Sequence, residues 1–260
     1  MYTKFTKLSV AALALTFAVA ASAQPRRAPE VMPNFAPTPA SVQNVTHPTL
    51  DEYFTPVYPA TKSKKPVVVA PATPDKDGFI RRWTLLEPID KLELRSNDMF
   101  TDSWLREEFA TEHFPGQWTI VPTDGQKVKL DKKTTRTWHC LDSKRWNVKL
   151  YRFATGLGLR PTEGKYFAVT VIECDKDMTV RMAVGSNSGS MWWVNGEEAL
   201  LLANDRRMVV DDVVSKKITL HAGKNIVRGV VINGPGMSDF CVRFLDEKGK
   251  PVTNLKVSNQ

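Results

Sequence analysis

Short apolar alternations broken by turn residues dominate the chain from Phe79 onward, and they predict strands. Phe79 to Leu86, Trp118 to Val121, Trp146 to Phe153 and Tyr166 to Cys174 read as the first strands. In Thr179 to Gly185 the apolar Val180, Met182 and Val184 alternate with Arg181 and Ala183, the period-2 pattern of a half-buried strand. Met191 to Val194 runs into Asn195-Gly196 and on to Ala199–Ala203. Asn-Gly suits a two-residue type I′ hairpin, whose central residues both need positive φ. Val213 to Leu220, Asn225 to Asn233 and Phe240 to Leu245 complete the set. His221-Ala222-Gly223-Lys224 and Gly234-Pro235-Gly236 supply turn chemistry between the last pairs. Asp102 to Phe109 alone has helical spacing, with Asp102 or Ser103 as its expected N-cap. Many short strands and almost no helix predict an all-β fold, a β-sandwich or jelly roll.

The residues before this pattern have a different texture. Leu8 to Ala21 is an apolar run preceded by Lys4 and Lys7 and followed by Ala21-Ser22-Ala23. That run is shorter than the about 20 apolar residues needed to span a bilayer. With its small-x-small end it reads as a secretion signal over residues 1–23, so the chain is expected to be exported, periplasmic or extracellular. No later run is apolar for long enough to predict a membrane span. Eleven of the 17 prolines fall between Pro25 and Pro74. Proline removes donors and fixes an extended backbone, so residues 24–76 are expected to form a spacer, with Leu50 to Tyr58 its only mildly apolar patch. The folded domain is then expected over 77–260.

Composition narrows the partners. The formal charge of +8 would suit an acidic glycan, an anionic surface or nucleic acid, but Lys and Arg are interspersed with Asp and Glu, as on an ordinary solvated surface. Without an aromatic-basic recognition motif, nucleic acid is not an expected partner. Three cysteines, Cys140, Cys174 and Cys241, allow one disulfide at most. Cys174 and Cys241 each lie in a strand pattern, either as buried thiols or as a cross-strand pair. No cluster of His and Cys has zinc-site spacing.

The order Ser186-Asn187-Ser188-Gly189, Trp193-Val194-Asn195-Gly196, Leu220-His221-Ala222-Gly223-Lys224-Asn225 and Phe240 to Asp246, with Gly249-Lys250-Pro251, resembles a galactose-binding-like jelly roll. Similar modules are attached to exported polysaccharide-degrading enzymes and glycan-binding proteins. The resemblance implies the sandwich fold, and it matches Trp193 to the family's strand tryptophan, which is expected in the core. Family members often carry acids in the preceding turn, where this chain has Asn187 and Ser188; calcium is therefore unsupported and no cofactor is expected.

Adjacent side chains on a strand point to opposite faces, so Trp192 and Trp193 cannot share one core. With Trp193 inside, Trp192 is expected outward, either packed under the segment from Trp138 to Trp146 or open as a stacking platform. As a platform it would work with Asn195, Asn204 and Arg206, with Trp146 beside Lys144-Arg145 as a further contact. Gly185-Ser186-Asn187-Ser188-Gly189 has Asn at the centre, so it is no Gly-x-Ser-x-Gly nucleophile elbow, and no catalytic residue is assigned. The expected role is an exported, non-catalytic glycan-binding or accessory module that takes a polysaccharide or oligosaccharide. The alternatives are a scaffold module bound to an envelope protein, and a small carbohydrate-active hydrolase.

Overall fold

The computed structural model describes residues 50–58, 69–89, 100–187, 189–204, 206–234 and 236–260. The expected signal, residues 1–23, and most of the expected spacer lie outside them. No helix among the described residues is long and apolar enough to cross a membrane.

Two antiparallel sheets form the sandwich, as the alternating pattern predicts. The longest hydrogen-bonded pair joins β5 (Gly164–Cys174) to β11 (Gly223–Asn233) at the centre of the larger sheet. β11 continues to β7 (Ser190–Val194), whose hairpin with β8 (Glu197–Leu202) closes one side. The hairpin turns through Asn195 and Gly196 at φ 53° and 86°, the positive values that Asn-Gly predicts. On the other side β5 pairs with β2 (Arg82–Leu86), then come β4 (Thr135–Ser143) and β1 (Phe54–Pro56), while β3 (Lys127–Lys129) pairs with β4 and β13 (Lys256–Ser258) with β5. The smaller sheet runs β10 (Ile218–Leu220), β6 (Met178–Ser186), β12 (Phe240–Leu245), with β9 (Val213–Val214) also on β6.

Between the sheets lies an apolar core in which Trp83, Trp192 and Phe240 meet at ring-centroid distances of 5.0–5.7 Å. Burial of such rings, in offset and edge-to-face contacts, supplies much of the sandwich's stability. All three cysteines are buried free thiols, and burial pushes Cys140 and Cys241 up to about 12.

Several segments differ from their sequence patterns. Residues 50–58 and 69–76, read as spacer, are integral to the sandwich. The short helix α1 (Leu50–Tyr53) leads into β1, which pairs with β4, and Phe54 is 1% exposed in the core. Ala72 bridges Val257. Trp146 to Phe153 is not a strand; helix α3 (Leu150–Gly156) begins within it and buries Leu150, Phe153 and Ala154. Trp118 to Val121 is not a strand either, because the chain turns from Phe114 to Trp118 through Gly116 at φ 77°, braced by buried Gln117. Its side chain accepts from His113 N at 2.8 Å and donates to the Thr111 carbonyl at 3.1 Å. β4 carries no clean alternation because both its faces mix polar and apolar residues: Arg136, Trp138, Cys140 and Asp142 on one, Thr137, His139, Leu141 and Ser143 on the other.

Candidate functional site

The larger sheet has two covered faces. Its outer face carries a second apolar layer built on Leu86, Phe167, Val169, Met191, Val230 and Ile232. Helix α2 (Asp102–Ala110) lies on it and buries Leu105 and Phe109, one turn apart. Thr101 is the N-cap in place of the expected Asp102 or Ser103, accepting from Trp104 N at 3.3 Å. Glycine at 189 lets α2 approach, since a Cβ there would stand 2.8 Å from both Leu105 methyl carbons.

Between α2 and β7 opens an apolar cleft of 240 Å³ lined by Arg106, Phe109, Ala110, Trp118, Met191 and Trp193. The Trp118 and Trp193 rings stand 5.1 Å apart at 58°, both half-buried, so each keeps part of its surface open. Arg106 occupies the rim. Its Nη1 and Nη2 donate to the two Glu198 carboxylate oxygens at 2.7 and 2.9 Å, and its Nε donates to Asp102 at 2.8 Å. Hydrogen bonds donated to Glu198 first, then to Asp102, hold the guanidinium above its ordinary range. The rim is thus a charged, preorganised fork beside two aromatic planes.

Among the described residues three cations are buried on this same face: Arg82, paired with Asp142 at 2.8 Å, Lys165 and Arg228. Lys165 is 1% exposed; its Nζ donates to the Glu108 carbonyl at 2.8 Å, meets the Glu108 carboxylate at 2.5 Å and lies 2.7 Å from His113 Nε2. Desolvation lowers its pKa against the opposing pull of Glu108. Arg228 is 7% exposed and has no such partner among the described residues: its Nη1 has no hydrogen bond there, and desolvation pushes its pKa down to about 10.

Trp192 requires a correction. It is 0% exposed, inside the sandwich core, and is no stacking platform; Trp193 is the tryptophan that faces outward. The cause is Gly229, directly across from Trp192 on β11. A Cβ at Gly229 would land inside the Trp192 indole, so the missing side chain is the slot the ring fills. The indole Nε1 donates to Ser190 Oγ at 3.0 Å and is satisfied there.

The other expected site residues do not converge. Asn195 ties the hairpin to β11, donating to Asn225 Oδ1 at 2.8 Å and accepting from Ile226 N at 2.9 Å. It also borders a separate polar cavity of 370 Å³ with Glu197, Glu198, Lys217 and His221. Asn204 takes φ 69° and donates its backbone N–H to the Phe100 carbonyl. Arg206 pairs with Asp212 at 2.6 Å and donates to the Ala203 carbonyl at 2.8 Å. Trp146 is 39% exposed and packs on Phe79, which bridges Arg243 of β12, so it belongs to the smaller sheet's side. Sequence reasoning missed Trp118, Trp193 and Arg106. The glycine in the middle of β11 was the available signal for which tryptophan turns inward. Among the described residues no group of His, Cys, Asp and Glu could hold a metal ion.

Fold and site together define an all-β sandwich with an aromatic cleft on the covered outer face of its larger sheet. No protein-family model and no curated protein matches the chain. Among solved structures it is similar to an anti-sigma factor domain-containing protein from Clostridium clariflavum, at 11% identity and a TM-score of 0.37. That likeness covers 65% of this chain and 44% of the other, so it spans less than half of that protein. The chain is similar also to the PA14 sugar-binding domain from an RTX adhesin, at 11% identity and TM-score 0.40 over 68% of this chain and 96% of that one. A third likeness is to the PA14 domain of the MpAFP antifreeze protein, at 10% identity and TM-score 0.36 over 76% and 96%. None of these TM-scores reaches 0.5.

Proposed function

We propose that the chain is an exported, non-catalytic glycan-binding module of galactose-binding-like sandwich type. The observation that carries this reading is the pair of half-buried tryptophans, Trp118 and Trp193, lining an apolar cleft beside the clamped Arg106. Sugar rings present flat faces of C–H bonds that pack on aromatic rings, while their hydroxyls need donors and acceptors at the edge. Arg106 supplies the donors and Glu198 the acceptors, both already held in place, so little freedom is lost on binding. The cleft of 240 Å³ lies at the surface between α2 and β7, a placement that suits the side of a polysaccharide chain.

The test is retardation in native gels cast with a panel of neutral and acidic polysaccharides. Retention is expected for the wild type, and its loss for Trp193→Ala and for Trp118→Ala. Trp146→Ala should be retained as the wild type is, because Trp146 lies on the other sheet's side. A wild type that no polysaccharide retards overturns the reading.

A further inference from the structure

The charge left unpaired in the outer layer points to the kind of sugar. Cross-strand pairing sets a row of neighbours on one sheet face: Glu198 opposite Trp193, Trp193 opposite Arg228, and Arg228 opposite Val169. Directly opposite residues of an antiparallel pair have their Cβ atoms about 5 Å apart. Arg228 therefore stands beside Trp193 on the side away from the Arg106–Glu198 rim, adjoining the cleft without being one of the residues that line it. Ile226 and Val230, its neighbours on the same face of β11, belong with Trp193 and Val169 to the apolar layer.

An arginine in such surroundings normally has a carboxylate, because an uncompensated buried charge is among the costliest groups a fold can hold. Lys165, on the same sheet face, has Glu108. Arg228 has none among the described residues, and its Nη1 is left without any hydrogen bond. The guanidinium is a planar fork matched to carboxylate and sulfate oxygens. An anion arriving with the ligand would complete the pairing that the chain itself leaves open.

We propose that the ligand is an anionic saccharide, whose ring packs on Trp193 and whose carboxylate or sulfate group pairs with Arg228. This rests on the glycan-binding reading of the same cleft and adds the ligand's charge. A neutral sugar would leave the arginine as it stands, so the preference for acid comes from a group already desolvated in the free protein.

Titration calorimetry of the full chain tests this with two matched pairs of probes: oligogalacturonate against its methyl ester, and a sulfated galactan oligosaccharide against its desulfated form. The wild type should prefer the acidic member of at least one pair by roughly ten- to a hundredfold, the scale of a charge-assisted hydrogen bond pair. Arg228→Gln should collapse that preference to within about twofold, and Arg228→Lys, which keeps the charge but not the fork, should fall between. Melting curves of the variants verify the fold. Equal binding of both members by the wild type, or a preference that survives Arg228→Gln, overturns the proposal while leaving the glycan-binding reading intact. Binding of neutral probes only, lost in Trp193→Ala, has the same meaning. If no saccharide of the wider panel binds, both fall together.

Discussion

The larger sheet packs on both faces, and the two faces obey different rules. The inner face meets the smaller sheet in a core of Trp83, Trp192, Phe240 and aliphatic side chains, where Trp192 fills the slot left by Gly229. The outer face is also apolar, yet among the described residues it holds three buried cations, half-open indoles and a cleft. A layer assembled for stability alone would have no use for an unpaired arginine. The contrast teaches that burial by itself does not distinguish core from site; what sets the outer layer apart is that, among the described residues, it holds a buried cation without a carboxylate.

That contrast can be broken from the inside first. Trp192→Ala should cost about 3–5 kcal/mol in urea unfolding, as the emptied slot against Gly229 cannot close. Next in size, Arg228→Met should raise stability by about 1–3 kcal/mol, because it removes a desolvated charge and keeps an apolar stem. A stabilising substitution that abolishes a preference for acidic sugars is the mark of a site rather than a core. Trp193→Ala should cost only about 1–2 kcal/mol, since the ring is half-buried, while removing gel retention altogether.

Smaller effects sharpen the comparison of buried Lys165 with buried Arg228. The folded pKa of Lys165 lies below 10.5, so in the window between the two values the unfolded chain holds more protons and stability rises with pH. The stability of the wild type relative to Lys165→Met should therefore climb as pH rises through that window towards 10.5, measured by denaturant unfolding. Arg106→Ala, at the exposed rim, should change stability by no more than about 1 kcal/mol while weakening glycan binding. A large loss of stability there would assign the Arg106–Glu198 fork to holding α2 in place instead.

Much of this was legible in the chain. The run from Phe240 to Leu245 is a strand over the same residues, and Asn195-Gly196 makes the turn its chemistry demands. These are local properties, set by period-2 patterning and by φ preference within a few residues. The candidate site was not legible in the same way. Trp192 and Trp193 are indistinguishable by pattern, and matching Trp193 to a family's core tryptophan reversed their faces. Trp118 sits in a turn whose bracing comes from Gln117, and Arg106 is clamped by Glu198 from a distant strand.

By itself, then, the sequence determined the sandwich class, most of the strands after Tyr166, the tight hairpin and the opposed orientation of two adjacent tryptophans. Only the tertiary structure decided which tryptophan went inward, because that depends on register against Gly229, 37 residues on from Trp192. It alone decided, too, that Arg228 would be buried within an apolar layer with no carboxylate partner among the described residues, since burial and charge pairing are set by the elements that meet and not by neighbours along the chain.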